Sequence, residues 1–327
     1  MLSSASKSEK VERCFAISYI PKPEAAKRTL RDEEGRLRPK LLAMRQWGVA
    51  VPGGAQALCH WRSTVEEAAR AGIIDPVVIA DLDMANFFNS VEWPRKRESI
   101  SRHFPEASAV VHWEQRAPGV SVLPDGAEFQ FDRGAEQGET FGPVKSVLPL
   151  GDARGAAAEA FAATSATAVC DEWFVDDGQL VCAPRLLDPW LRLFDAAISG
   201  IGASRGSGPG VKSVARLVCP PGSEQQSDGW ATDYVCLTCR VPSPNSSTVV
   251  LGATLGSDDE IRAGVRKVCD KVAISRLAIA EIDHVGTELV LTRRCADVAK
   301  MSFCCSATAT NSVGPRRTPS TWTSAGL

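Results

Sequence analysis

The stretch that decides the fold is Phe174-Val175-Asp176-Asp177-Gly178, in which two adjacent acids separate two apolar runs. These runs cover residues 166–170 and 179–182. Apolar runs of this length, broken by Asp-Gly, predict a β-hairpin with its turn at the acids. Taken alone, the pair is also typical of a solvated turn. Two carboxylates at a hairpin tip repel each other unless a cation lies beside them, so the pattern favours a site for divalent metal ions.

A second acidic segment lies upstream, where residues 77–80 (VVIA) lead to Asp81 and Asp83. A continuous apolar run of this length predicts a strand that is buried on both faces, and an acid at its end is rigidly held. Pro94 then suits the first position of a helix, which we expect to end near His103. The predicted order is therefore strand, acid, helix and, later in the chain, the acidic hairpin.

These segments resemble motifs of the reverse transcriptase domain of non-LTR (LINE-type) retrotransposons. Residues 83–89 (DMANFFN) are similar to the palm motif Asp-x-x-Asn-Ala-Phe-Asn, and residues 174–177 to the aromatic-x-Asp-Asp box. Residues 134–143 (GAEQGETFGP) are similar to the loop Gly-x-x-Gln-Gly-Asp-Pro-Leu-Gly-Pro, but with Glu-Thr-Phe where Asp-Pro-Leu is usual. Further similar segments are residues 46–56, 210–213 and 250–256. Each motif alone is weak, and their shared order over roughly residues 41–301 carries the resemblance.

The resemblance implies an α/β (α+β) fold, namely a right-hand polymerase palm with an antiparallel sheet backed by helices, partial fingers and a helical thumb. The implied divisions are a basic polar N-terminal segment (1–40, a remnant of the fingers or disordered), fingers and palm (41–256), a thumb-like helical segment (257–305) and a disordered tail (306–327). A generic helical hairpin is the alternative to the thumb.

Asp83, Asp176 and Asp177 are the metal ligands that the resemblance assigns, and they would hold two Mg²⁺ or Mn²⁺ ions. Two such ions clamp the attacking and leaving oxygens of a phosphoryl transfer. Asp81 alternates with Asp83 along the strand, but the family pattern assigns the ligand to Asp83. Lys212 is the predicted catalytic acid that protonates the leaving pyrophosphate, and an ordinary surface lysine is the alternative.

The incoming nucleotide is expected to contact Met84, Phe88, Gln137 and Gly138, again by resemblance. Phe88 occupies the position of a steric gate, where a bulky side chain blocks a ribose 2′-OH. The resemblance therefore implies a preference for deoxynucleotides. The alternative is that Phe88 is an ordinary core aromatic residue.

The implied function is that of an RNA-directed DNA polymerase, with an RNA template, a DNA primer and deoxynucleoside triphosphates as partners. One alternative is a catalytically inactive, retroelement-derived protein that binds nucleic acid or a protein partner. Another is an unrelated α/β metal-dependent phosphotransferase. The sequence predicts no oligomeric state.

Composition sets the remaining bounds. With 327 residues and 44% hydrophobic residues, the chain is long enough for a large core and two or three subdomains. The net charge of −2 lacks the basic footprint usual in nucleic-acid-binding proteins. Basic residues do cluster within residues 22–45, where they contact a template backbone or form a solvated helix face.

Location and redox state follow from what the sequence lacks. It has no run of 18 apolar residues and no apolar signal-peptide core, so we expect an intracellular protein, in cytoplasm or nucleus, with no membrane contact. Eleven cysteines in such a chain are expected to be reduced thiols. Cys236 and Cys239 have metal-ligand spacing, but no second pair completes a zinc site.

Local patterns predict further elements. Ser257 and Glu260 form a capping box that begins a helix whose apolar positions run from 261 to 272. A second helix is expected over residues 288–301. Residues 104–133 are predicted to be an irregular insert with a turn at 124–126, and residues 203–245 to form long loops.

Overall fold

The protein is described by a computed structural model over residues 21–116, 120–122, 128–130, 132–135, 139–167, 169–224, 229–282, 284, 287–288 and 290–292. The chain divides into two compact units, each assembled from separate segments. The first unit comprises Met1–Met44, Met84–Ala156 and Phe194–Ser204, and the second Arg45–Asp83, Ala157–Leu193 and Arg205–Leu327. The predicted domain boundaries stay a prediction.

The second unit contains a four-stranded antiparallel sheet. Its strands are β1 (Val77–Leu82), β4 (Cys170–Phe174), β5 (Asp177–Cys182) and β6 (Val214–Val218), in the order β4-β5-β1-β6. The predicted strand over residues 77–80 is confirmed as β1, which is central and is largely buried on both faces. The predicted mixed α/β class, with an antiparallel sheet and helices, is confirmed.

Helix α2 (Gly54–Arg70) packs on one face of this sheet. Its Ala69 joins Ile79, Val181 and Val218 in a buried cluster, because alternate strand residues present their side chains to the same face. In the register, Asp81 lies opposite Gln179 and Leu82 opposite Gly178. Asp83, the next residue, therefore follows β1 at the edge where β5 begins with Asp177.

The second unit also contains a short hairpin and two further helices. The hairpin consists of β7 (Thr248–Val250) and β8 (Ala253–Leu255), and the helices are α8 (Asp233–Thr238) and α9 (Asp258–Ala280). The predicted capping box of Ser257 and Glu260 is confirmed at the start of α9. The predicted helix over 288–301 lies mostly outside the described residues.

Helices dominate the first unit. They are α1 (Pro21–Ala43), α3 (Phe87–Ser90), α4 (Trp93–His103), α5 (Ser108–Arg116) and α6 (Gly142–Ala162), and β2 (Val120–Val122) pairs with β3 (Glu128–Gln130). The last turns of α6, from Ala157 onward, belong to the second unit, and helix α7 (Leu187–Ser199) likewise contributes residues to both units. Helix α4 begins at Trp93, has Pro94 in its first turn and ends at His103, which confirms the predicted helix.

Helices α4 and α6 are joined by hydrogen bonds to one carboxylate. Ser99 Oγ donates to Asp152 at 2.5 Å, and His103 Nε2 lies 2.7 Å from the other oxygen of Asp152. This contact fixes the two helices side by side within the first unit.

Two of the loop predictions are wrong. Residues 104–133 contain α5 and the β2–β3 pair, and residues 203–245 contain β6 and α8. The Pro and Gly residues that suggested loops lie mainly between these short elements, and tertiary packing stabilises segments whose local pattern is weak. The predicted turn at 124–126 lies outside the described residues.

Helix α1 carries most of the basic N-terminal stretch, and contact of that stretch with a template stays a prediction. Lys27 pairs with Glu24 at 2.8 Å and Arg28 with Asp32 at 3.6 Å, while Arg38 pairs with Glu34. These basic residues thus pair with carboxylates one helical turn away, which is typical of a solvated helix face. Among the described helices, none combines the length and apolar character needed to cross a bilayer.

Candidate active site

Asp83 is positioned by the end of strand β1. Its backbone N–H donates to Ser213 Oγ at 3.0 Å, which ties this residue to the loop before β6. Lys212, the neighbour of Ser213, places its Nζ 3.9 Å from the carboxylate of Asp83. The side chain of Lys212 is 76% exposed, so this pair is well solvated and weak on its own. The predicted catalytic lysine and the predicted metal ligand are therefore neighbours.

Asp176 and Asp177 lie where β4 turns into β5. Phe174 pairs with Asp177 across the hairpin, which leaves Val175 and Asp176 as its two-residue turn. The predicted hairpin is therefore confirmed, although its strands meet at Val175-Asp176 and Asp177 already belongs to β5. Both acids thus lie at the same end of the sheet as Asp83.

The turn is held in an unusual backbone conformation. Val175 has a φ of 58°, which is a rare left-handed value for a β-branched residue. Conformations of this kind cost on the order of 1–3 kcal/mol and persist only where the surroundings enforce them. An acid-bearing turn in such a conformation needs a specific clamp.

Gln46 is that clamp. Its amide Nε2 donates to the Val175 carbonyl at 3.0 Å, and its Oε1 accepts from the Val175 N–H at 2.7 Å. The same oxygen accepts from the Gly48 N–H at 3.0 Å. Gln46 is buried, so these bonds are shielded from water. Sequence reasoning placed Gln46 only at the start of a family-like segment, and the buried amide itself gave no signal of its role.

Packing also fixes the glycine that follows the acids. A Cβ at Gly178 would lie 2.5 Å from the indole of Trp173, closer than any neighbouring group tolerates. Trp173 is completely buried, so it has no space to move aside. Glycine at position 178 therefore lets β4 and β5 approach each other directly beneath Asp177.

The carboxylates at this edge interact electrostatically. Loss of hydration, together with repulsion from Asp176, Asp83 and Asp81, raises the pKa of Asp177 to about 6, and Lys212 opposes the shift. Asp177 is nevertheless exposed to solvent, so we give the neighbouring carboxylates more weight than burial as the cause. A cation beside these carboxylates would relieve their mutual repulsion, so the edge favours binding of a divalent cation.

Asp81, the fourth acid at this edge, already forms an ion pair. Arg62 donates to its two oxygens at 2.9 and 3.4 Å, and Thr248 Oγ1 donates at 3.2 Å. Arg62 comes from α2 and Thr248 from β7, so Asp81 joins the sheet to both. These bonds occupy the Asp81 carboxylate, whereas the role of Asp83 as the metal ligand stays a prediction.

A buried ionic network extends from Asp81 beneath the sheet. Glu66 accepts from Arg62 at 2.8 Å and from Arg70 at 2.9 Å, and it also accepts from Arg216. Burial alone would raise the pKa of Glu66, but the three arginines outweigh it and hold that pKa below its usual range. The spacing Arg62, Glu66, Arg70 is visible in the sequence as a charge alternation every four residues, whereas the partner Arg216 is not.

The chemistry of these ligands fits a hard divalent cation, because Mg²⁺ and Mn²⁺ prefer carboxylate oxygens. Among the described residues, however, no group of three or more His, Cys, Asp or Glu side chains is arranged to hold a metal ion. The acids share one edge of the sheet without converging on a common point. The same observation leaves Cys236 and Cys239 without a metal site in the described part of the chain.

The predicted nucleotide contacts belong to the first unit. Met84 is buried, and Phe88 is half-buried with its ring edge-to-face against Phe87, the centroids being 5.6 Å apart. Gln137 and Gly138 lie outside the described residues. Just after them, Glu139 is paired with Lys145 and Phe141 is fully buried, which explains why an acid and an apolar residue occur there. The nucleotide-binding roles of all four residues stay predictions.

The described cysteines differ in their exposure to solvent. Cys59, Cys182, Cys219 and Cys239 are buried, Cys170 and Cys269 are half-buried, and Cys236 is exposed. Cys236 is exposed on α8, whereas Cys239 is buried and accepts a long hydrogen bond from Arg205 at 3.6 Å. The two side chains therefore have different environments despite their Cys-x-x-Cys spacing.

Comparison with known proteins finds distant structural likeness only. No protein-family model matches the sequence, and no curated protein matches it. The chain is similar to the telomerase from Candida albicans, solved in complex with a TWJ fragment of telomeric RNA, at 11% identity over 79% of this chain and 42% of that chain, with a TM-score of 0.48.

A second similar structure is the apo telomerase from Candida tropicalis truncated from its C-terminal domain. The identity is 11% over 72% of this chain and 43% of that chain, with a TM-score of 0.42. The chain thus spans less than half the length of either telomerase chain. At this level of similarity neither structure assigns an activity to the protein.

Proposed function

We propose that the chain is an RNA-directed DNA polymerase that adds deoxynucleotides to a DNA primer on an RNA template. The observation that carries this proposal is the placement of Asp83, Asp176 and Asp177 at one edge of an antiparallel sheet, with Lys212 beside Asp83. These residues come from three separate stretches of the chain, and each was singled out by a motif that resembles the reverse transcriptase family.

In this proposal the sheet of β4, β5, β1 and β6 is the palm of a right-hand polymerase, and α9 is part of a thumb. Asp83, Asp176 and Asp177 hold two Mg²⁺ or Mn²⁺ ions. When bound, such ions neutralise the charge that develops on the attacking and leaving oxygens. Gln46 keeps the acid-bearing turn rigid, and Asp81 stays bound to Arg62 as a support of the strand.

Lys212 is the residue proposed to assist the leaving group. An exposed ammonium beside Asp83 reaches an anionic pyrophosphate and stabilises its charge, or donates a proton to it. Phe88 is proposed to exclude the ribose 2′-OH, and Met84, Gln137 and Gly138 to contact the incoming nucleotide. These assignments depend on the family resemblance.

The test is primer extension on a homopolymer RNA template with deoxynucleotides and Mg²⁺. We expect the wild-type chain to extend the primer and Asp176→Asn to lose extension. Asp233→Asn serves as the matched control, because Asp233 is an exposed carboxylate of α8 in the same unit. Extension that persists in Asp176→Asn would remove the hairpin from the mechanism.

A second candidate is a catalytically inactive, retroelement-derived protein that binds nucleic acid. The observation that favours it is that no three acidic side chains in the described residues are gathered for metal binding. A wild-type chain that melts cooperatively and retains primer–template duplex, yet extends no primer, would select this candidate over the polymerase.

A further inference from the structure

A cavity of about 690 Å³ lies in the second unit, beside the acidic edge. The sheet contributes Asp81, Gln179 and Arg216 to its lining, and the chain between Ser246 and Gly252 contributes another part. Its volume is within the range of roughly 300–1,000 Å³ that is typical of sites for small molecules. The phosphoryl-transfer roles proposed above use the acids of this lining and leave the rest without an assignment.

Three buried polar atoms on lining residues have no hydrogen-bond partner among the described residues. They are Gln179 Oε1, Arg216 Nε and Ser246 Oγ. Gln179 is only 3% exposed and Arg216 only 1%. Native proteins pair nearly all such atoms, because a buried donor or acceptor left unpaired is destabilising. Three of them around one cavity indicate that a polar ligand completes the site.

Gln179 is the most informative of the three. It lies between Asp81 on β1 and Glu172 on β4 in the register, two residues after Asp177 on the same face of the sheet. Its primary amide offers a donor and an acceptor side by side. Glutamine uses this pair to bind the edge of a nucleobase, which also presents adjacent donors and acceptors. The terminal amide torsion is soft, so a small rotation turns the amide toward a ligand.

The other lining residues suit the rest of a nucleotide. Arg240 and Lys212 are exposed cations on the lining, and they attract a phosphate. Arg216 donates hydrogen bonds to Glu66 and to the Ser246 carbonyl, and these bonds fix its guanidinium in the lining of the cavity. Ser246 Oγ supplies a hydroxyl that donates or accepts.

We propose that this cavity binds a nucleotide, with Gln179 pairing to the polar edge of the base and Arg240 and Lys212 facing the phosphate. The choice of a nucleotide rests on the function proposed above, since a polymerase must bind nucleotides next to its acids. Gln179 adds to that function a contact that reads the base edge and needs no metal ion.

The experiment measures nucleotide binding by calorimetry in EDTA, with no primer or template. The probes are dAMP and the 5′-monophosphate of benzimidazole 2′-deoxyriboside, whose base has a similar shape but lacks the exocyclic amine and the nitrogens of the six-membered ring. We expect the wild-type chain to bind dAMP about ten-fold or more tightly than the benzimidazole nucleotide, the discrimination typical of one good base-edge pair.

Gln179→Met removes the amide with little change in volume and should bind both nucleotides with equal affinity. Gln56→Met, a glutamine of α2 in the same unit, should keep the wild-type preference. The wild-type comparison of the two nucleotides needs no variant, so poor folding of Gln179→Met cannot hide the answer.

Equal affinity of the wild-type chain for the two nucleotides would overturn the proposal. So would a preference that survives in Gln179→Met, or no binding at millimolar concentration. Because the assay needs neither metal nor catalysis, a chain that fails to polymerise can still pass it, and a working polymerase can still fail it. The two proposals are therefore tested separately.

Discussion

The two units of the molecule bury positive charge in opposite ways. In the second unit, Arg62 and Arg216 are fully buried and share the carboxylate of Glu66. In the first unit, Lys96 is fully buried, and its Nζ has no hydrogen-bond partner among the described residues. The difference shows which buried basic residues keep their charge and use it to support the fold. The paired arginines support the strand that carries the acids, whereas the unpaired amine is tolerated only in its neutral form.

Physical chemistry explains both arrangements. An arginine stays charged, so its burial requires carboxylates in good geometry. A lysine instead releases its proton when it is buried. Burial, and then repulsion from Lys145, lower the pKa of Lys96 to about 6. At neutral pH we therefore expect an uncharged amine in the first unit and a fully ionised network in the second.

Breaking the network should have the largest effect. Glu66→Gln leaves Arg62 and Arg216 buried without their shared carboxylate, and we expect the free energy of unfolding to fall by about 3–5 kcal/mol. The measurement is urea unfolding followed by circular dichroism. The control is Glu67→Gln, because the Glu67 carboxylate accepts from Ser63 Oγ at 2.9 Å and is not part of the arginine network. Equal losses of free energy of unfolding in the two variants would show that the network contributes no more to stability than an ordinary contact.

Replacing the unpaired Lys96 should instead increase the free energy of unfolding. Lys96→Met removes the cost of deprotonation, and we expect a gain in the free energy of unfolding on the order of 2 kcal/mol. The folded pKa, about 6, lies below the ordinary value of 10.5, so the wild-type chain becomes more stable as pH rises between these values. The gain should therefore be larger at pH 6.5 than at pH 9, as measured by thermal melts.

Lys145→Met is the matched control for this prediction. Lys145 is buried like Lys96 but is paired with Glu139, so its loss leaves a buried carboxylate alone. We expect this variant to be destabilised. A Lys96→Met protein that is less stable than wild type at every pH would contradict the contrast between the two lysines.

Gln46, which clamps the acidic turn of the second unit, makes neutral hydrogen bonds, so its loss should cost less than the loss of a buried charge. Gln46→Met removes the hydrogen bonds to Val175 and Gly48, and we expect a loss of about 1–2 kcal/mol. Hydrogen exchange should quicken at residues 174–178. Val175→Gly relieves the left-handed strain, so in the double variant part of the loss should be recovered. No change in exchange at the turn would refute the role of Gln46.

The smallest expected effect concerns Asp177. Its raised pKa means that, between 3.8 and about 6, the folded chain binds a proton that the unfolded chain does not. Stability should therefore fall as pH rises through this interval. Asp177→Asn should raise the melting temperature by about a degree above pH 6 and have no effect near pH 3.5, because an exposed group is well screened. Asp233→Asn should change neither value.

Local signals account for what the sequence predicted correctly. The strand that precedes Asp83, the helix with Pro94 in its first turn and the helix capped by Ser257 each depend on residues close together in the chain. The acids of the candidate site were identified in the same way, by short motifs. Such patterns report backbone preference and burial over a few residues.

Long-range partners account for what it missed. Gln46 and Val175 are separated by 129 positions, and Glu66 and Arg216 by 150, so no local pattern connects them. Gln179 has an ordinary position in a strand, and only the cavity beside it marks its amide. Helix α5 was missed because Pro and Gly residues around it outweighed its weak periodicity.

The central claim is that Asp83, Asp176 and Asp177 form a metal site, and titration of Mn²⁺ followed by electron paramagnetic resonance tests it most directly. We expect the wild-type chain to bind Mn²⁺ and Asp233→Asn to bind it equally well. Asp83→Asn and Asp176→Asn should each weaken binding about ten-fold or more, because each loses a carboxylate ligand. Binding that is unchanged in Asp83→Asn and Asp176→Asn, or absent from a folded wild-type chain, would contradict it.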